Sequence, residues 1–137
     1  MSPRIIVISF IVMFILMYSM VNKVSDTNIN LNQIYMASIM TSAMVAMDMI
    51  AMGHNSYTLI VIGIGLLSFI FLRQQILIND REFIKAMIPH HSSAILMANK
   101  IKQKTSNKNI IKLADNIISS QTCEIKYMND LLSQDDI

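Results

Sequence analysis

The side chains best able to do chemistry lie in the second half of the chain. His90 and His91 stand side by side behind Met87, Ile88 and Pro89, and further on come Gln121, Glu124 and Met128 at helical spacing. Imidazole, thioether and carboxylate groups all bind metals, and thioethers in particular favour soft Cu(I). The chain holds 13 methionines but only three histidines and one cysteine, so sulfur of the thioether kind is the abundant donor. A di-metal oxidase site of the ferritin-like kind would need Glu-x-x-His pairs, and none occurs. Metal binding without enzymatic activity is the expectation.

Two helices must position these groups. Asn79 followed by Glu82 forms a capping-box pattern that starts a helix near Asp80. Phe83, Met87, His90, Ala94, Met97 and Ile101 then trace one helical face, and Lys104-Thr105-Ser106-Asn107-Lys108 interrupts it. A second helix to about Leu132 carries Ile110, Ala114, Ile117, Gln121, Glu124, Met128 and Leu131 on its inward stripe. If the pair folds back about Ser106, His90 faces Gln121 and Met87 faces Glu124, with His91 at the edge of the same level. Pro89 inside the first helix removes a backbone hydrogen bond and costs about 3 kcal/mol. A kink there would re-aim two adjacent imidazoles that a straight helix splays by about 100°. The plainer reading keeps Met87, Met97 and Met128 as core filling and makes His90 with Glu124 an ion pair without metal. Cys123, one position before Glu124, faces outward or sideways and is expected to be incidental.

Ahead of this pair the sequence is of a different kind. The whole chain of 137 residues is 53% hydrophobic, with a formal charge of +2 and a mean hydropathy of +0.48. It is too apolar for an ordinary soluble domain, and its basic residues are too few and scattered for a nucleic-acid surface. Three uncharged or nearly uncharged runs, at about 5–21, 34–52 and 57–72, predict three transmembrane helices in a membrane domain 1–73. The first run lacks a small-residue cleavage site and reads as an uncleaved anchor rather than a signal peptide. Asn22 to Gln33 reads as a polar loop, and Gly53-His54-Asn55-Ser56 as a tight turn that makes the second and third runs an antiparallel pair. Gly63 and Gly65 offer that pair a close-approach surface.

The apolar runs hold a second constellation. Met36, Met40, Met44 and Met47 form a stripe on the second run, Asp48 and Met52 continue a neighbouring one, and Met13, Met17 and Met20 line up on the first. An acid at membrane depth is expected to face protein or water rather than lipid. Core packing and a metal path are the two readings of the methionines. Asp48 lies about one turn from Gly53, within reach of the interface.

The segment Asp80 to Ala98, with its Met87-Ile88-Pro89-His90-His91 motif, followed by Gln121-Thr122-Cys123-Glu124-Ile125-Lys126-Tyr127-Met128, resembles the bacterial domain-of-unknown-function family 305. The resemblance covers about residues 80–132. It implies a ferritin-like helical fold, an extracytoplasmic location and, in some members, copper binding, with Met87, His90, His91, Gln121, Glu124 and Met128 at the motif positions. This sequence departs from longer members in having one motif-bearing hairpin instead of two.

The expected architecture is therefore all-α: three transmembrane helices, then an antiparallel hairpin over 74–137 that is half of a four-helix bundle. The expected function is copper binding at the inner or plasma membrane, with the N-terminus cytoplasmic and the hairpin outside. Lys23 and the basic residues after Arg73 argue mildly for the opposite orientation. The rival is an interaction protein whose hairpin docks on a partner subunit. Ile84, Ile88 and Ile95 on the first helix, with Leu113, Ile118, Ile125 and Leu132 on the second, widen the apolar faces beyond one mutual interface. A homodimer through the hairpin would cover them.

Overall fold

A computed structural model describes residues 3–53 and 57–134, and every regular element among them is helical. Five α-helices follow in order: α1 (Pro3–Leu16), α2 (Leu31–Ala51), α3 (Thr58–Gln74), α4 (Asp80–Lys102) and α5 (Lys108–Leu132). The chain divides into two compact units, Met1–Met17 with Asn30–Ile78, and Tyr18–Ile29 with Asn79–Ile137. The boundary drawn at 73/74 thus moves to Ile78/Asn79, and the segment between α1 and α2 joins the hairpin.

In the first unit the three expected spans resolve into one helix of membrane length and two shorter ones. α2 has 21 residues and is apolar enough to cross a bilayer. At 1.5 Å per residue it reaches about 32 Å, against about 30 Å of hydrocarbon. The 14-residue α1 stops at Leu16, where the backbone tightens into a 3-10 turn over Met17–Met20. The 17-residue α3, about 26 Å long, ends where Gln75 takes a left-handed conformation at φ 52°.

The α2 helix starts at Leu31 because the Asn30 side chain accepts a hydrogen bond from the Gln33 N–H, satisfying one of the unpaired donors of the first turn. Antiparallel packing of α2 and α3 follows from two contacts, one near the start of α2 and the end of α3, the other midway along both. Tyr35 meets Phe71 edge-on at 5.9 Å and donates its hydroxyl to the Ile76 carbonyl at 3.0 Å. Further along, a Cβ at Gly65 would lie 3.0 Å from Ser42 Cβ, whereas one at Gly63 would meet nothing. Of the two glycines expected at a close approach, Gly65 serves it. Gly53 opens the turn with φ 71°, while His54, Asn55 and Ser56 lie outside the described residues.

In the second unit α4 begins where expected, with the Asn79 side chain accepting from the Glu82 N–H at 2.9 Å. It runs without interruption through Pro89 to Lys102. Asn107 caps α5 by accepting from the Asn109 N–H. The inward face of α4 is not the expected one. Ile84, Ile88, Ser92, Ile95 and Ala98 are buried, while Phe83, Met97 and Ile101 are exposed. The segment read as a loop explains the rotation. A 3-10 turn at Val24–Asp26 packs on α4, so α4 is covered on two sides and turns its isoleucine stripe inward. Ser92, fully buried, donates its hydroxyl to Asp26 Oδ2 at 2.5 Å and accepts from the Asn22 N–H at 2.9 Å. Tyr18 closes the segment on itself by donating to the Asn28 carbonyl.

Candidate functional site

Antiparallel helices bring together residues according to where the turn is centred. His91 with Glu124 and Lys102 with Asp115 are the observed cross-helix pairs, which centres the turn near Lys108 instead of Ser106. The shift is close to one helical turn. It replaces the expected His90–Glu124 level with one in which His91 Nε2 lies 2.7 Å from Glu124 Oε2. His90 is exposed, its ring 6.0 Å from that of His91 and inclined by 65°. The adjacent imidazoles are near each other, but only one meets α5.

The His91 ring is held at both nitrogens. Nδ1 donates to the Met87 carbonyl at 2.8 Å; a carbonyl can only accept, so Nδ1 carries a proton, and Nε2 donates to the Glu124 carboxylate when it carries one as well. That hydrogen bond is the usual way in which a protein orients a metal-binding histidine, leaving the other nitrogen to the ligand. The side chain of His91 is 14% exposed and that of Glu124 54%, so the pair sits at the edge of the hairpin with one side open. Exposed pairs of this kind contribute only about 0–1 kcal/mol. Stability alone is a weak reason for the arrangement.

Gln121, one turn before Glu124 on α5, is partly buried, and its Oε1 is inaccessible with no hydrogen-bond partner. A buried acceptor left unpaired costs about 1–3 kcal/mol, and an acceptor of this type is also a metal-binding atom. Met128 is buried in an apolar cluster with Ile84 and Ile88, and Met87 packs against the same cluster. Their thioethers fill core, so Met87 touches the site through its carbonyl. Met97 lines an open apolar groove with Ala94, Ile101, Leu113 and Ile117 near the turn. Cys123 is exposed.

The structure thus joins His91 and Glu124, sets Gln121 one turn away with an unused oxygen, and leaves His90 at the rim. No three His, Cys, Asp or Glu side chains converge among the described residues. Sequence reasoning missed Ser92 and Asp26, which tie the α1–α2 connector to α4 immediately beside His91. The signal for them was an acid, Asp26, three residues after Lys23 in a connector with no other charge.

Comparison with known proteins agrees with the motif. Residues 73–132 match the family described as Domain of unknown function (DUF305). The chain is also 36% identical over 118 residues to Uncharacterized protein L153 of Acanthamoeba polyphaga mimivirus, covering 82% of this chain and 78% of that protein. The motif-bearing hairpin lies within the matched residues, and the chain belongs to the DUF305 family. The likeness to the viral protein extends well beyond the hairpin, into the apolar helices. No solved structure matches.

Proposed function

We propose that the protein is a membrane-anchored, extracytoplasmic copper-binding protein that buffers or delivers the ion. The observation that carries this reading is the His91 ring, fixed by the Met87 carbonyl with Nε2 directed at Glu124. Gln121 Oε1, buried and unpaired, fits a third donor, and His90 at the rim a fourth. Nitrogen and oxygen donors of this kind suit Cu(II) better than Cu(I). α2 is the principal span. The apolar helices Arg4–Met20 and Thr58–Gln74 complete three spans in a bilayer that thins locally around them. The N-terminus is cytoplasmic and the hairpin lies outside. A second copy packed on the exposed face of α4 and α5 makes a four-helix bundle and brings two His91–Glu124 pairs into one assembly.

Competitive Cu(II) titration of the detergent-solubilised full chain tests the proposal. His91→Ala and Glu124→Gln are each expected to weaken binding at least about tenfold, and His90→Ala less. Wild-type affinity no greater than that of a His90→Ala/His91→Ala variant would sink it. The second reading, a hairpin that docks on a partner subunit, is favoured by the exposed Phe83, Met97 and Leu113. A stoichiometric partner retained by the double-alanine variant without metal would decide for it.

A further inference from the structure

The methionines of α2 pose a problem that packing does not answer. Met44, Met47 and Asp48 stand at i, i+3 and i+4, on one face of the helix. Together with Ile5 of α1 and Ala51 they line an open cavity of about 480 Å³ in the first unit. Met47 is 66% exposed, so its thioether is accessible at the cavity rather than sealed in a core. Asp48 is exposed too, and no hydrogen bond or ion pair reaches its carboxylate among the described residues. Arg4, next to Ile5, forms no ion pair with it.

Asp48 stands about one turn from Gly53, towards the interface end of α2, where its exposed carboxylate offers a cation a counter-charge. The groups beside it decide which cation that is. Two thioethers discriminate against hard ions such as Mg²⁺ and Ca²⁺, which require several oxygens, and select soft, polarisable Cu(I) or Ag(I). A monovalent ion also balances the single carboxylate. We infer that Met44, Met47 and Asp48 form a binding site for a soft monovalent metal ion, separate from the nitrogen and oxygen donors of the hairpin. The inference stands on α2 alone and survives if the hairpin binds nothing.

The probe is Ag(I), which undergoes no redox change, added to the full-length chain in detergent. The background carries Cys123→Ser, His90→Ala and His91→Ala, so that neither the thiol nor the two hairpin imidazoles compete. One tightly bound Ag(I) per chain with sulfur neighbours in X-ray absorption is expected. Met44→Leu/Met47→Leu, a volume-conserving change, should weaken it at least about tenfold, and Asp48→Asn should weaken it without altering helix content. Met36→Leu/Met40→Leu removes the same number of thioethers elsewhere on α2 and should leave binding intact. Equal losses from both methionine pairs, or no tight Ag(I) in the background protein, would overturn the site. Cu(II) titration of the Met44→Leu/Met47→Leu chain with His90 and His91 restored reports the hairpin separately.

Discussion

Gln121 and Glu124 ask different things of the same helix face. Glu124 is half exposed and its pairing with His91 stabilises little. Glu124→Gln is therefore expected to leave the thermal midpoint of the metal-free protein nearly unchanged while lowering Cu(II) affinity. Gln121 buries an oxygen without a partner. Replacing both polar ends by apolar shape removes that penalty, so Gln121→Leu should raise the metal-free midpoint by an amount equivalent to about 1 kcal/mol and weaken Cu(II) binding. Thermal unfolding with and without Cu(II) reads both effects. A Gln121→Leu variant that is stabilised yet binds Cu(II) as wild type does would remove Gln121 from the site.

At the scale of elements, the connector between α1 and α2 is held to α4 by a small buried polar set. Ser92→Ala would leave Asp26 Oδ2 and the Asn22 N–H without their partner, at about 1–3 kcal/mol for the unsatisfied groups. Lower stability and faster tryptic cleavage at Lys23 are expected; unchanged cleavage would show that Ser92 does not hold the connector. The same packing bears on fragments. A piece beginning at Asn79 lacks the partners of Ser92, so it should be less stable than one that retains Tyr18–Ile29. In the first unit Gly65 allows α3 to approach Ser42. Gly65→Val should separate α2 from α3 and lower the thermal midpoint, and Ser42→Gly should restore part of the loss. Equal midpoints for the single and double variants would place the constraint elsewhere.

For the whole molecule, one residue reports orientation. Cys123 is the single cysteine and is exposed, so a membrane-impermeant maleimide should label it in intact cells if the hairpin lies outside. Labelling only after lysis would reverse the placement. Association is read the same way, on the full chain in detergent. Exposed Met97 and Leu113 line an apolar groove between α4 and α5, and Leu113→Lys should convert a dimer to monomer in native mass measurement. A wild-type monomer at all accessible concentrations would refute the bundle.

Local chemistry determined much of this protein before any tertiary contact is considered. Asn79 and Glu82 start α4 because capping acts within one turn, the break before Lys108 separates α4 from α5, and unbroken apolar runs give α1 to α3. The family motif places His91, Glu124 and Gln121 among the candidates. Tertiary structure decided which face of each helix is inside. Periodicity on α4 allows two adjacent apolar stripes, Phe83–Met87–Ala94 and Ile84–Ile88–Ile95, and nothing local ranks them. The choice fell to the connector, whose Asp26 and Asn22 reach Ser92 across a long stretch of sequence. Once Ile88 and Ser92 turn inward, the register slides by nearly one turn, His91 replaces His90 opposite Glu124, and Met128 becomes core. A helix fixes the angles between its own side chains, but only its neighbours fix its rotation.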